Sequence, residues 1–263
     1  MHNRLLNALM LIFLSLPGIA KDLSPENNWQ KADYIEQSFT EIALRNEYKK
    51  HTGQVRKWQD AIKIWVDHRV TDSGLLDKLT RLHIQDLNRI TGHPIELVTR
   101  RDQANLVLVY TRYADMPATA MTLMGKQVKP ALAEALCLAN ITTTTEQVIK
   151  RASIIIPVDE ASSRAKLVDC VVEELTQIMG LVNDSEKVYP SVFNDKSIND
   201  LLSGLDYVLL KILYDKKLTP GMSEQQSLQQ VRQIIQRMQQ DGTLDRASSE
   251  VRQSGLYSLL GYR

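Results

Sequence analysis

The stretch that most constrains this chain is Cys170-Val-Val-Glu173-Glu174-Leu-Thr-Gln177-Ile-Met-Gly180-Leu-Val-Asn183-Asp184. Wound at about 100° per residue, it places Leu167, Val168, Val171, Leu175, Ile178 and Val182 on one arc. Cys170, Glu173, Glu174 and Gln177 fall on the opposite arc. Glu173 and Gln177 are four apart, so their side chains are neighbours on a helix surface. Gly180 is placed to end that helix, because glycine reaches left-handed backbone cheaply. Asn183 and Asp184 follow on the turn. The simplest reading is an amphipathic helix with a solvated polar face.

The N-terminus has the form of an export signal. Arg4 is followed by an apolar run from Leu5 to Leu16, and Pro17-Gly18-Ile19-Ala20 supplies small residues before a cut after Ala20. No other apolar stretch is long enough to cross a bilayer. The expectation is a periplasmic or secreted bacterial protein. Removing residues 1–20 takes away one arginine and no acid, so basic and acidic side chains balance in the remainder. That balance argues against nucleic acid as a partner, since nucleic-acid binders carry a basic stripe. Two cysteines, Cys137 and Cys170, are present. In an exported protein an even count points to a disulfide between them.

Ser24-Pro25 reads as an N-cap with proline at the first helical position, and Trp29, Ala32, Ile35, Phe39, Ile42 and Ala43 follow helical spacing. The helix is expected to run from Pro25 to Lys50, with His51 as a cation at its end. Ile62, Ile64 and Val66 alternate as a strand. Leu75 to Ile90 is a helix stopped by Gly92, with His83 on the edge of its apolar face. Strands follow at Ile95–Val98 and Ala104–Tyr110. Met116, Pro117, Gly125 and Pro130 break up the next segment, where Ala131 to Leu136 is a short helical piece. A strand from Ala152 to Val158 leads into the Glu-Glu helix, expected to start near Arg164. Tyr189-Pro190-Ser191-Val192-Phe193-Asn194-Asp195 is turn chemistry around two apolar residues. Leu201 to Leu213 is a further helix. Ser223 to Gln226 forms a capping box ahead of a Gln-rich helix with a narrow stripe of Leu228, Val231, Ile234, Ile235 and Met238. A last helix is expected from Leu244 to Leu260. The stripe fits packing on the chain's own domain or docking to a partner.

The Glu-Glu helix resembles the zinc helix of the metzincin peptidases, H-E-x-x-H-x-x-G-x-x-H. In that frame Glu173, Gln177 and Asn183 stand at the three ligand positions, Glu174 matches the general base and Gly180 the glycine. Val192-Phe193 falls where matrixin-like zincins carry a methionine turn, and Asp206 with Leu213-Tyr214 fits their closing helix. The set of signatures also resembles a bacterial family of unknown function. These are Glu173-Glu174-Leu175-Thr176-Gln177, Asn183-Asp184-Ser185, Tyr189 to Asp195, and Leu213-Tyr214-Asp215 with Pro220-Gly221-Met222.

The resemblance implies an α+β fold: a zincin-like mixed sheet with an active-site-type helix, flanked by N- and C-terminal helices. The organisation expected is a signal peptide at 1–20, an N-terminal helix at 21–57, the zincin-like domain at 58–222 and a helical tail at 223–263. Glu173 with two neutral amides is a poor zinc set, because zinc takes His, Cys or carboxylate. An oxygen-only set suits a hard cation better. The histidines of the exported chain, His51, His68, His83 and His93, lie far upstream of the motif. The expectation is no zinc and no cofactor, and a non-peptidase binding or structural module whose partner is another envelope protein or a peptide. The alternative is a hydrolase with Glu174 as general base, its carboxylate accepting hydrogen bonds from the opposing strand or from a ligand.

Overall fold

A computed structural model of the protein describes residues 29–45, 53–71, 73–194, 196–197 and 200–262. The signal peptide at 1–20, the helix start at Pro25 and His51 lie outside the described residues. The first helix, α1, spans Ala32–Phe39 and passes into a π-helical turn, Thr40–Leu44. Arg45 is already extended, so the helix stops short of the expected Lys50. Ile35, Phe39, Ile42, Ala43 and Leu44 are all fully buried and belong to the main core.

The sheet is built from β1 (Lys57–Trp58), β2 (Ile62–His68), β3 (Ile95–Leu97), β4 (Leu106–Thr111), β5 (Leu138–Thr143) and β6 (Val148–Pro157). β3, β2, β4 and β6 run parallel in that spatial order. β5 closes the sheet antiparallel to β6, and β1 pairs with the first residues of β6. Sequence reasoning missed β5, because Leu138-Ala-Asn-Ile-Thr-Thr has a weak apolar alternation and is defined by its pairing to β6. β4 is buried on both sides along most of its length, as a central parallel strand covered on both faces should be.

Two cores follow from that. Ile62, Ile64, Leu106, Leu108, Tyr110, Ile154 and Ile156 face the main core. Helix α2 (Ser73–Thr91) lies on this side, with Leu76, Leu79, His83, Ile84, Leu87 and Ile90 inward. It stops at Gly92, whose φ of +66° is left-handed. On the other face Val109, Ile155 and Leu138 pack against α3 (Met116–Met124). Met116-Pro117, expected to break structure, instead starts α3, since proline is tolerated in a first helical turn. The short helical piece after it is a single 3-10 turn, Ala131–Ala133.

A further helix, α4 (Val158–Ser163), directly follows β6 and was not anticipated. The Glu-Glu helix, α5, therefore runs from Leu167 to Gln177 instead of starting at Arg164. Next comes α6 (Gly204–Leu213), capped by Ser203 three residues later than expected. The tail forms α7 (Glu224–Gln240), α8 (Thr243–Arg252) and α9 (Gly255–Leu259), so the single last helix divides at Ser254, which caps α9. The capping box at Ser223 and Gln226 is present. Val231, Ile234, Ile235 and Met238 are buried in the main core, so the tail's apolar stripe packs on the chain's own domain. Among the described residues, no helix is long and apolar enough to cross a membrane.

Candidate functional site

α5 packs against α2, α4, β5 and β6. These neighbours leave little of it in water, which corrects the solvated-face reading. Cys170, Val171, Val172, Glu174, Leu175 and Thr176 are all buried, and Glu173 and Gln177 are half-buried. The arc carrying Cys170 and Glu174 is covered, while Leu167 and Val168 of the apolar arc are only half-buried. Val182, assigned to the apolar arc, follows the helix and is half-exposed. Cys170 is bridged to Cys137, with the two Cα atoms 5.9 Å apart. The bridge ties α5 to the segment that leads into β5.

Glu174 is 5 % exposed, and its Oε2 has no hydrogen-bond partner. The expected hydrogen bonds from an opposing strand do not reach this oxygen. Burial, followed by the nearby carboxylates of Asp184 and Asp169, holds the Glu174 carboxyl well above the usual carboxylate range. A neutral carboxylic acid is favoured there because an ionised oxygen without partners in a dry site is costly.

The residues at the three ligand positions are drawn into a different arrangement. The Gln177 amide donates to Asp184 Oδ1 at 2.8 Å and to Glu173 Oε1 at 3.3 Å. Asn183 is buried and turned toward the N-terminal segment. Its Nδ2 donates to the Glu41 carbonyl at 2.9 Å and to the Asp184 carbonyl at 3.0 Å, while its backbone N–H donates to the Ile42 carbonyl at 3.2 Å. The Tyr34 hydroxyl bridges the same loop, donating to the Tyr189 carbonyl at 2.9 Å and accepting from the Tyr189 N–H at 2.8 Å. The π-helical turn is where two of these carbonyls become available. Nothing in the spacing of α1 announced this joint; Tyr34 was the missed residue.

Gly180 has φ of +117°, and a Cβ built there would lie 2.1 Å from the Arg56 carbonyl oxygen. Glycine is thus required by both backbone shape and close approach. The turn after the helix is held by Asp206, which is fully buried at the third position of α6. It accepts from Ser191 Oγ at 2.6 Å, the Val192 N–H at 3.2 Å and the Ser203 N–H at 2.7 Å. Burial pushes its carboxyl up to about 6 against these stabilising bonds. Val192 and Phe193, on the turn that this clasp orients, are buried in the main core.

One histidine does reach α5, from its apolar side. His83 is buried, with Nε2 2.9 Å from Thr176 Oγ1, and burial pushes its pKa down to about 3. Thr176 donates to the Val172 carbonyl, so the His83 Nε2–H is the donor and this pair seals the core side of the helix. Among the described residues, no three His, Cys, Asp or Glu side chains are grouped as a metal ion would need. The donor set at positions 173, 177 and 183 does not fit zinc, because two of its members are amides whose N–H groups are bonded to protein oxygens. For a hard cation it offers one carboxylate, Glu173, and two amide oxygens.

Residues 32–235 match a family described as a protein of unknown function, DUF2927. The chain belongs to this family. The match takes in α1 and most of α7, so the DUF2927 unit includes the N-terminal joint on Asn183 and the first helix of the tail. No curated protein and no solved structure matches the chain.

Proposed function

We propose that this DUF2927 protein is an exported, zincin-like domain acting as a non-peptidase binding or structural module in the cell envelope. The observation that carries the reading is the fate of Asn183. At the third ligand position of the metzincin frame, its amide holds the carbonyls of Glu41 and Asp184. Gln177, at the second, bridges Glu173 and Asp184. A zinc peptidase needs these positions for imidazoles and an open coordination site for water. Here Asn183 ties the turn after α5 to the N-terminal segment, and Gln177 ties the end of α5 to that turn. The element order supports the zincin-like relationship: strand β2, helix α2, strands β3 and β4, a connection holding α3, strands β5 and β6, the short helix α4, the Glu-Glu helix, a turn and the closing helix α6. The Cys137–Cys170 bridge supports export, since such bonds persist in oxidising compartments.

A second reading rests on one specific feature. Glu174 is a buried carboxyl with a raised pKa and an unpartnered oxygen, the profile of a group tuned for proton transfer. On that reading the domain is a hydrolase in which Glu174 is the general acid or base. The test is elemental analysis of the purified exported protein together with a general peptidase assay before and after chelation. The binding-module reading expects no stoichiometric zinc and no cleavage. One zinc per chain, with cleavage lost on chelation, would overturn it in favour of the hydrolase.

A further inference from the structure

Away from α5, a cavity of about 470 Å³ opens between the C-terminal ends of α2 and α6 and the flank of α7. Its walls carry Lys211, Lys216, Lys217 and Arg237, and a single carboxylate, Asp215. That carboxylate is already engaged, by Arg237 and by the Lys217 backbone N–H at 2.9 Å. The two lysines with hydrogen bonds are held by neutral oxygens. Lys211 Nζ donates to the Ile90 carbonyl at 3.3 Å, and Lys217 Nζ donates to Gln233 Oε1 at 3.1 Å. Each bond positions an ammonium that keeps further N–H donors for another acceptor, the Lys211 ammonium also lying 5.3 Å from the centroid of the Tyr207 ring. Tyr214 forms one wall, and behind its ring lies the Lys57 ammonium, 5.5 Å from the centroid. Ile90 and Met238 add an apolar floor.

The concentration of charge is local. The whole chain carries a formal net charge of +1, yet this one cavity gathers an excess of cations around a neutralised acid. Its volume lies within the range of small-ligand sites. Ammonium groups recognise phosphate as point charges, and a guanidinium can add directed hydrogen bonds. We infer that the cavity between α2, α6 and α7 binds a small phosphate-bearing anion, with Lys211, Lys216 and Lys217 supplying the charge and Tyr214 and Met238 supplying the contact for the attached group.

The probe is inorganic pyrophosphate, titrated calorimetrically into the full exported chain at low and at physiological salt. The expected result is saturable one-to-one binding that weakens as salt screens the cavity. Lys216→Glu and Lys217→Glu change exposed side chains, so the fold should survive them, and each should weaken binding about tenfold or more. Lys129→Glu, an equally exposed lysine outside the cavity, is the charge-matched control and should bind as the parent does. Absence of saturable binding, or an equal loss in Lys129→Glu, would overturn the assignment. Citrate binding with no pyrophosphate binding would overturn the phosphate preference. Binding to phosphatidylglycerol vesicles with no binding of free pyrophosphate would place the anion on a membrane surface and overturn a small solute as the occupant.

Discussion

Replacing Glu174 tests whether its carboxyl is a strained functional group or an ordinary structural one. Its Oε2 is buried without a partner, and the folded state holds the proton to higher pH than the unfolded chain, where the carboxyl titrates near 4.5. Below that value both states are protonated and the group contributes no pH dependence. As pH rises above it, the unfolded chain releases the proton and the folded chain keeps it. The stability of the parent then falls by about 1.4 kcal/mol per pH unit until the folded group ionises. Glu174→Gln has no proton to lose, so its stability should lack that slope. Glu174→Met also removes the unpartnered polar atom, a group of a kind that costs about 1–3 kcal/mol when buried. Near pH 4.5 Glu174→Met should therefore be more stable than the parent by about that amount, or roughly 2–4 °C in melting temperature per kcal/mol for a domain of this size, and the gap should widen as pH rises. Melting curves of the parent and both variants across pH 4.5–8 measure this. A parent curve parallel to that of Glu174→Gln, with both variants less stable at pH 8, would refute the reasoning and make Glu174 a paired structural acid.

Three further outcomes follow from the same geometry. Asp206 has a carboxyl raised from 3.8 to about 6, so its contribution weakens as pH climbs through that window, by about 3 kcal/mol. Asp206→Asn should remove that dependence, while Asp206→Ala should destabilise at all pH values by about 3 kcal/mol or more through three unpaired donors, as read by urea unfolding. Gly180→Ala must push a methyl group into the Arg56 carbonyl at positive φ, and a loss of about 2–4 kcal/mol in urea unfolding is expected; a loss below 1 kcal/mol would show that the turn relaxes freely. Cys170→Ser opens a bridge with a sequence separation of 33, for an expected loss of about 3–4 kcal/mol in the chain-entropy treatment, and thiol titration of the unreduced parent should find no free thiol.

The local code of the chain is legible without coordinates. Alternation in Ile62–Val66, the Leu spacing that ends at Gly92, and the capping box at Ser223 act over a few residues, so local rules suffice; the equivalent box at Ser203–Asp206 went unread. The pairing of Cys137 with Cys170 was also readable, because only two cysteines are present. Gly180 was readable as a turn from glycine's backbone freedom, and the structure holds it at φ of +117°.

What tertiary structure decided is the environment of those same residues. Helical periodicity reports directions around an axis and says nothing about how many sides are covered, so it exposed an arc that β5, β6, α2 and α4 enclose. β5 itself exists through its pairing with β6, a contact its own weak pattern did not announce. The joint between Asn183 and the π-helical turn links residues 142 apart in the chain. Burial of Glu174 raises its pKa through the sum of every element packed around it, a quantity no window of the sequence contains. The residue types and their spacing were written locally, but whether Glu174 met water or a dry, acid-lined site depended on contacts that form only when distant segments close over α5.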